Sequence, residues 1–566
     1  MHTVDWIVLT VYLLATVFVG VFLGRLVKNS SDMFAAGGQS PWWMSGLSAF
    51  MTMFSANTFV VWGGIAYEQG AVAVIINLCY GIAALLAGYT VAGKWRKMGI
   101  ATPAEYVDKR FGRSALHFYT WFMMVFRIVG TGGALYAIAR LILAVIAGED
   151  SAANAALSSP QLNIAILLFA LVVVGYTMIG GLWAVLMTDT LQFIILNLAI
   201  IFVIPLSLAE VGGINALFTQ TPEGFMNVTS EKYSLLFLIG WVAIHYFMIG
   251  AEWAFVQRNL SVPTPKDARK SNVLFGLLYL FSPFLWLLPP LLWRIQQPIP
   301  EGASPEAITQ MSETAYIMSC KAVLPVGMLG LMIAALFSAT ASMISSQLNV
   351  FSGVLTKNIY EPLAGNPTEK QLVRMGRIFT LILGLVIAGI AIATPYLGGA
   401  AKLIISVTQI MVTPLLAPTL FALFFRNLGM SAIWATVGLC FPLGLLTKFT
   451  SVGEGTIIAD GTFTGVILPL LVIAALLLLQ KKEAPGWKKI QDLSKQAEES
   501  DEEPSSSALP ARIVAISLAV CSATFLILIP FNSENQGMLA GFGLTLAALA
   551  AFLFYILRKT TPTSSE

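Results

Sequence analysis

The chain has 566 residues, of which 57% are hydrophobic and only 11% charged, and its mean hydropathy is +0.80. That excess of apolar surface excludes a water-soluble fold and calls for a bilayer, where every spanning helix shows hydrocarbon to lipid. The net charge of +3 gives no footing for a nucleic-acid partner. The four cysteines (Cys79, Cys320, Cys440, Cys521) are scattered, with no CxxC and no His cluster, which argues against a structural metal or a disulfide framework.

The first apolar run, Trp6 to Leu26, has the length of a full span and is followed by no small-residue cleavage site, so it is expected to persist as a helix. Windows of about 18 apolar residues place about fifteen spans. They lie near 5–27, 41–66, 71–93, 115–147, 163–186, 190–210, 233–257, 272–294, 326–355, 378–397, 401–425, 430–450, 462–480, 512–530 and 537–557. With the N-terminus outside, about 25 of the 32 Lys and Arg fall on one side, which the positive-inside rule makes cytoplasmic. KWRK at 94–97, KDARK at 266–270 and KKEAPGWKK at 481–489 all land there. An odd number of spans returns the C-terminus to the same side. Residues 481–511 are charged and then Ser/Pro-rich. They read as a cytoplasmic linker, part helix and part disordered, either a plain tether or a regulatory segment.

No Gly-rich phosphate loop, paired catalytic carboxylates or Ser/His/Asp set stands out, so the chain is not expected to be an enzyme. Ionisable groups inside spans are costly and are functional candidates by default. Arg127 lies well inside its span, Arg140 approaches the outer boundary and suits snorkelling, and Glu252 lies about six residues from a basic span end. Arg127 and Glu252 either neutralise each other or one of them meets a charged solute. Asp189, followed by Thr190 and an apolar run, reads as the cap of a helix starting there, with ion chemistry as the other reading. Ser338, Ser342, Ser345 and Asn349 recur at i, i+4, i+7 and i+11 and share one helical face. Such a stripe serves helix packing or offers hard oxygen ligands to a small alkali cation; periodicity does not choose.

Four stretches in order then carry a resemblance over roughly residues 1–480. They are TPAEYVDKRFG (102–112), YTMIGGLWAVLMTDTLQ (176–192), FVQRNLSVPTPKDARKS (255–271) and the segment from ETAYIMSCKAVLPVGMLGLMIAALFSATASMISSQLN to TKNIY (313–360). Together they resemble the sodium/solute symporters, the group that includes bacterial proline, galactose and sialic acid transporters. The resemblance implies an all-α polytopic membrane protein with the inverted five-helix repeat (LeuT-like) transporter fold, an extra N-terminal helix and C-terminal accessory helices. It would divide the chain into an accessory helix (1–40), a transport core (41–425, repeats about 41–210 and 233–425), accessory helices (426–480), the linker (481–511) and a C-terminal hairpin with tail (512–566). Five spans per repeat is odd, so the second repeat enters from the opposite face, as inverted repeats require. The first helix of each repeat should break at the bilayer midplane, near FSANT (54–58) and MIGAE (248–252).

The resemblance also implies a sodium site made of the carbonyls of Met51, Phe54 and Ala339 with hydroxyls at 342 and 343. Ser342 matches; Met343 puts a thioether, a poor ligand for a hard cation, where the second hydroxyl belongs. Met53 stands where the proline transporters carry Asp. Matching solute-site positions are Thr58, Asn77, Glu252 and Gln409. Arg127 sits about where the sialic acid transporters carry a carboxylate-binding Arg. The expected function is secondary active transport by alternating access. Na⁺ and a small carboxylated or zwitterionic solute are the cargo, the lipid bilayer is the solvent, and no obligate protein partner is evident. The rivals are a neutral sugar or polyol carrier, proton-coupled or uncoupled, and a transporter-like solute sensor. The bacterial relatives place it in a cell (inner) membrane.

Overall fold

The computed structural model describes residues 3–23, 29, 33–34, 36–147, 160–394, 400–450, 461–499, 509–529 and 536–560. The expected span ends at 24–27 and 395–397, and linker residues 500–508, lie outside them. Among the described residues every regular element is helical, as a chain that must satisfy its backbone inside lipid requires.

The extra N-terminal helix α1 (Thr3–Leu23) is followed by a bent pair, α2 (Trp42–Met53) and α3 (Thr58–Gln69), at 61°. Then come α4 (Val72–Lys97), a surface helix α5 (Pro103–Phe111), α6 (Arg113–Ala147), α7 (Pro160–Ile179) and α8 (Gly181–Glu210). The second repeat opens with another bent pair, α9 (Leu235–Ala251) and α10 (Trp253–Leu260), at 51°. It continues through α11 (Pro265–Gln296), an outlying α12 (Pro305–Val323), α13 (Met328–Ala364), α14 (Glu369–Ala393) and α15 (Ala400–Phe421). Outside the core lie α16 (Met430–Phe449), α17 (Phe463–Leu479), α18 (Gly486–Glu499), α19 (Leu509–Leu528) and α20 (Gln536–Thr560).

The repeats interlock by like parts. The first two members of each, α2–α4 and α9–α11, pack on one another, with α4 against both α9 and α11. Their contact at Gly81 and Gly276 is so close that a Cβ on either residue would lie 2.9 or 3.0 Å from the other's carbonyl oxygen. Small residues let helix backbones approach in this way where lipid supplies no hydrophobic drive. The third and fourth members, with the fifth member α8, form the opposing wall, α14 against α6 and α13 against α7 and α8. α13 is the central helix, buried along nearly its whole length. α1 docks on it through Asp5, whose carboxylate accepts the N–H groups of Gly327 (2.8 Å) and Gly330 (2.9 Å) at the α13 N-terminus. Those donors have no intrahelical partner.

One boundary differs from the expectation. The turn between the fifth and sixth spans is not at 187–189 but at Gly181, whose φ of 55° is in the left-handed region. A Cβ there would lie 2.6 Å from the Met33 carbonyl oxygen, so only glycine fits both the turn and the approach. Asp189 therefore caps nothing: it is eight residues inside α8 and wholly buried.

Candidate functional site

Both breaks are built without proline. At the first, Phe54 turns extended (φ −85°, ψ 139°) and ends α2. The freed N–H groups go to side chains: Ser55 to Thr58 Oγ1 (3.2 Å), Asn57 to Ser55 Oγ (3.2 Å) and Ala56 to Thr340 Oγ1 of α13 (2.8 Å). The hydroxyls thus do what proline or glycine does elsewhere, and an unpaired amide at membrane depth is avoided. At the second, Glu252 is extended (φ −71°, ψ 138°) and its Oε2 caps α10 by accepting from Ala254 N–H at 3.0 Å. A carboxylate at a helix N-terminus also meets the positive end of the dipole.

A cavity of about 840 Å³ lies between the breaks, α6 and α13. Trp62, Tyr80, Trp241 and His245 form an aromatic wall, with Tyr80 and Trp241 centroids 4.0 and 4.6 Å from the imidazole. His245 Nδ1 lies 2.8 Å from the Trp241 carbonyl, so in the neutral ring Nδ1 carries the proton and Nε2 is the acceptor. Thr58, Arg127, Asn57, Met343 and Gln347 also line the cavity. The amide oxygens of Asn57 and Gln347 are buried without a partner. Arg127 Nε meets Glu252 Oε1 at 3.2 Å, with Arg127 16% exposed and Glu252 fully buried. The structure thus brings together Thr58, Arg127 and Glu252. Asn77 is buried within α4, donating to the Ala73 carbonyl (2.8 Å), and Gln409 is pressed against Gly461 and Gly465; neither lines the cavity.

Beneath the cavity lies a polar cluster. Asp189 accepts from Ser48, and Arg258 Nη2 stands 3.7 Å from Asp189 Oδ2. Arg258 also donates to Ser48 Oγ (3.1 Å), the Ala254 carbonyl (3.0 Å) and Ser346 Oγ. Asp189 Oδ1 and Ser342 Oγ are both buried with no third group bonded to them, and Ser342 lies beside the Asp189 carboxyl. The Met51 carbonyl receives the Phe54 N–H (3.1 Å), while Ala339 is buried in α13. The α13 stripe divides its work. Ser338 bonds Tyr12 of α1, and Asn349 bonds Gln257 (2.8 Å) and the Met33 carbonyl (3.1 Å). These two tie α13 to its neighbours, and Ser342 meets the Asp189 carboxyl of α8.

Sequence reasoning missed Gln257 and Arg258, which stand at the end of the expected span at 233–257. They are helical and 1–3% exposed. The available signal was their position, five and six residues beyond the break at Glu252, where a short half-helix still lies within the protein. The aromatic wall carried no signal, since its four members come from three separate helices.

With this geometry in view, the chain belongs to the sodium:solute symporter family, whose model matches residues 33–438. The class is sodium-coupled membrane transport. The chain is 29% identical over 394 residues to the sodium/sialic acid symporter NanT of Aliivibrio fischeri (strain ATCC 700601 / ES114), covering 68% of this chain and 75% of that one. It is 28% identical over 478 residues to a sodium/glucose cotransporter of Vibrio parahaemolyticus, covering 79% and 85%. Among solved structures, a substrate-bound, outward-open Na⁺-coupled sialic acid symporter matches with a TM-score of 0.70 at 23% identity, over 84% of this chain and 97% of that one. That likeness fixes the LeuT-like fold.

Proposed function

We propose that the chain carries Na⁺ together with a small polar solute of no net charge, a zwitterion or a neutral sugar or polyol derivative, across the cell membrane. The observation behind the solute class is the Arg127–Glu252 pair. It cancels the one guanidinium that lines the cavity among the described residues, and Glu252 is held as the α10 cap. A net anion would have to take Arg127 from a carboxylate already in place, beside that carboxylate's own charge. The aromatic wall suits ring or C–H faces, and the unpartnered amides of Asn57 and Gln347 suit hydroxyl or amine groups. An exclusively anionic solute, such as the sialic acid of the NanT relative, is the reading this pair disfavours.

For the ion, Asp189 Oδ1 and Ser342 Oγ are buried hard oxygens that stand side by side with no hydrogen-bond partner other than each other. Alkali cations take such ligands. We place Na⁺ with these two groups, the carbonyls of Met51, Phe54 and Ala339 supplying the side toward the first break. Met343 faces the cavity, so a thioether there does not displace the pair. Coupling follows if Na⁺ favours one arrangement of the two walls, since Asp189 and Ser342 belong to one and Ser48 to the other. The basic face carrying α5 and α18 is taken as cytoplasmic, with the N-terminus outside.

The test is counterflow in proteoliposomes loaded with Na⁺, using a panel of neutral sugars and polyols, zwitterionic amino acids and monocarboxylates. Na⁺-dependent exchange of a solute without net charge supports the reading. Exchange confined to net anions overturns the solute class, and exchange equal in Na⁺ and choline overturns the coupling.

A further inference from the structure

The basic face holds a second cleft, of about 520 Å³, that the transport reading does not use. It lies where α15 passes into α16 and α17 passes into α18. Its walls are Phe424, Phe425, Arg426, Asn427, Leu477, Gln480, Lys481 and Trp487. Among the described residues no acidic side chain lines it. Arg426 and Lys481 are both exposed, and neither has an ion-pair partner among the described residues.

The frame is fixed rather than incidental. Ala484 N–H donates to the Arg426 carbonyl at 2.9 Å. Asn427 Nδ2 reaches the Leu477 carbonyl at 3.2 Å and also the Gln480 carbonyl, and Gln480 Nε2 donates to Ser431 Oγ at 2.8 Å. Trp487 forms one wall, and its ring lies 5.4 Å from the guanidinium carbon of Arg110. Arg110 is 2% exposed and donates to the Ala422 (3.3 Å) and Phe425 (3.1 Å) carbonyls, yet its Nη1 is buried without a partner. Glu483 acts on Arg110 from the approach to α18. Arg110 therefore stands behind the Trp487 and Phe425 wall rather than in the cleft lining, with Tyr106 and Glu483 acting on it.

We propose that this cleft binds a phosphate-bearing ligand. Two unpaired cations, Arg426 and Lys481, and the Trp487 ring wall form a set that recognises phosphate, because an arginine fork matches its oxygens and the aromatic face accepts a neighbouring group. Two sources share that chemistry. Leu478 and Leu479 beside the cleft are 79% and 78% exposed, which sets it at the edge of the hydrocarbon, level with lipid headgroups. Its open side equally admits a free phosphate. The ligand would join α18 to the α15–α16 turn and, through Arg110, to α5 at the first repeat.

The experiment uses the full chain in nanodiscs. Melting temperature is followed against inorganic phosphate at constant ionic strength in phosphatidylcholine discs, and compared between phosphatidylcholine and phosphatidylglycerol discs. The cleft variant is Arg426→Gln/Lys481→Gln, and the control is Lys488→Gln/Lys489→Gln, exposed on α18 outside the cleft. All four side chains are exposed, and a Lys481→Glu single variant repeats the measurement with one change. The expected result is a saturable rise of about 2 °C or more, lost in the cleft variant and kept in the control. A rise with free phosphate assigns a soluble ligand, and a rise only with phosphatidylglycerol assigns a lipid. Equal responses in wild type and cleft variant in both arms, or equal loss in the control, overturn the proposal.

Discussion

Arg127 and Glu252 offer the most direct test of how the two walls are held. Their nitrogen and oxygen stand 3.2 Å apart. At an effective dielectric constant of about 20, Coulomb attraction at that distance is about 5 kcal/mol, an upper figure because Arg127 is part-exposed. Arg127→Met leaves Glu252 charged, buried and alone, and removing one member of such a pair costs about 3–5 kcal/mol. Glu252→Gln leaves Arg127 some access to the cavity and keeps an acceptor for Ala254 N–H, so it should cost less, about 1–3 kcal/mol. The double variant removes both charges and should recover part of the loss. A double-mutant cycle of unfolding free energy in mixed micelles measures the coupling, with about 2–4 kcal/mol expected. Strict additivity, with a coupling under about 0.5 kcal/mol, would refute the pairing. The solute-class argument that rests on it would fall too.

The other expectations are simpler. Asp189→Asn should raise the Na⁺ concentration for half-maximal thermal stabilisation about tenfold or more, read with choline holding ionic strength constant; an unchanged Na⁺ midpoint would remove Asp189 from the ion site. Ser342→Ala should weaken the same Na⁺ shift, by less than Asp189→Asn, because it removes a neutral ligand. Gly181→Ala should lower stability by about 1–3 kcal/mol through its left-handed φ and the Met33 carbonyl, seen as a lower melting temperature without a changed Na⁺ midpoint. Asp5→Ala should cost about 2–4 kcal/mol by unpairing the Gly327 and Gly330 donors, and limited proteolysis should release α1 first.

The family, the polytopic helical class and the two breaks were legible in the sequence, because hydropathy is a local property and the breaks fall in recognisable stretches. The Arg127–Glu252 alternative was also legible, because two opposite charges in apolar runs must each find something to offset them. The role of Asp189 was not. Local rules read Asp-Thr before an apolar run as a cap, but the α8 start was set eight residues earlier by Gly181 pressing on Met33, a contact remote in sequence. The serine stripe was likewise undecidable from spacing. α13 is buried on all sides, so helical periodicity marks no single functional face. Only the neighbours (Tyr12 beside Ser338, Gln257 beside Asn349, Asp189 beside Ser342) show what each side chain meets. The sequence by itself determined which segments must cross the membrane and which residues cannot rest there unpaired. The tertiary structure decided who pairs with whom, since a buried polar group takes its partner from whichever helix packing brings within about 3 Å.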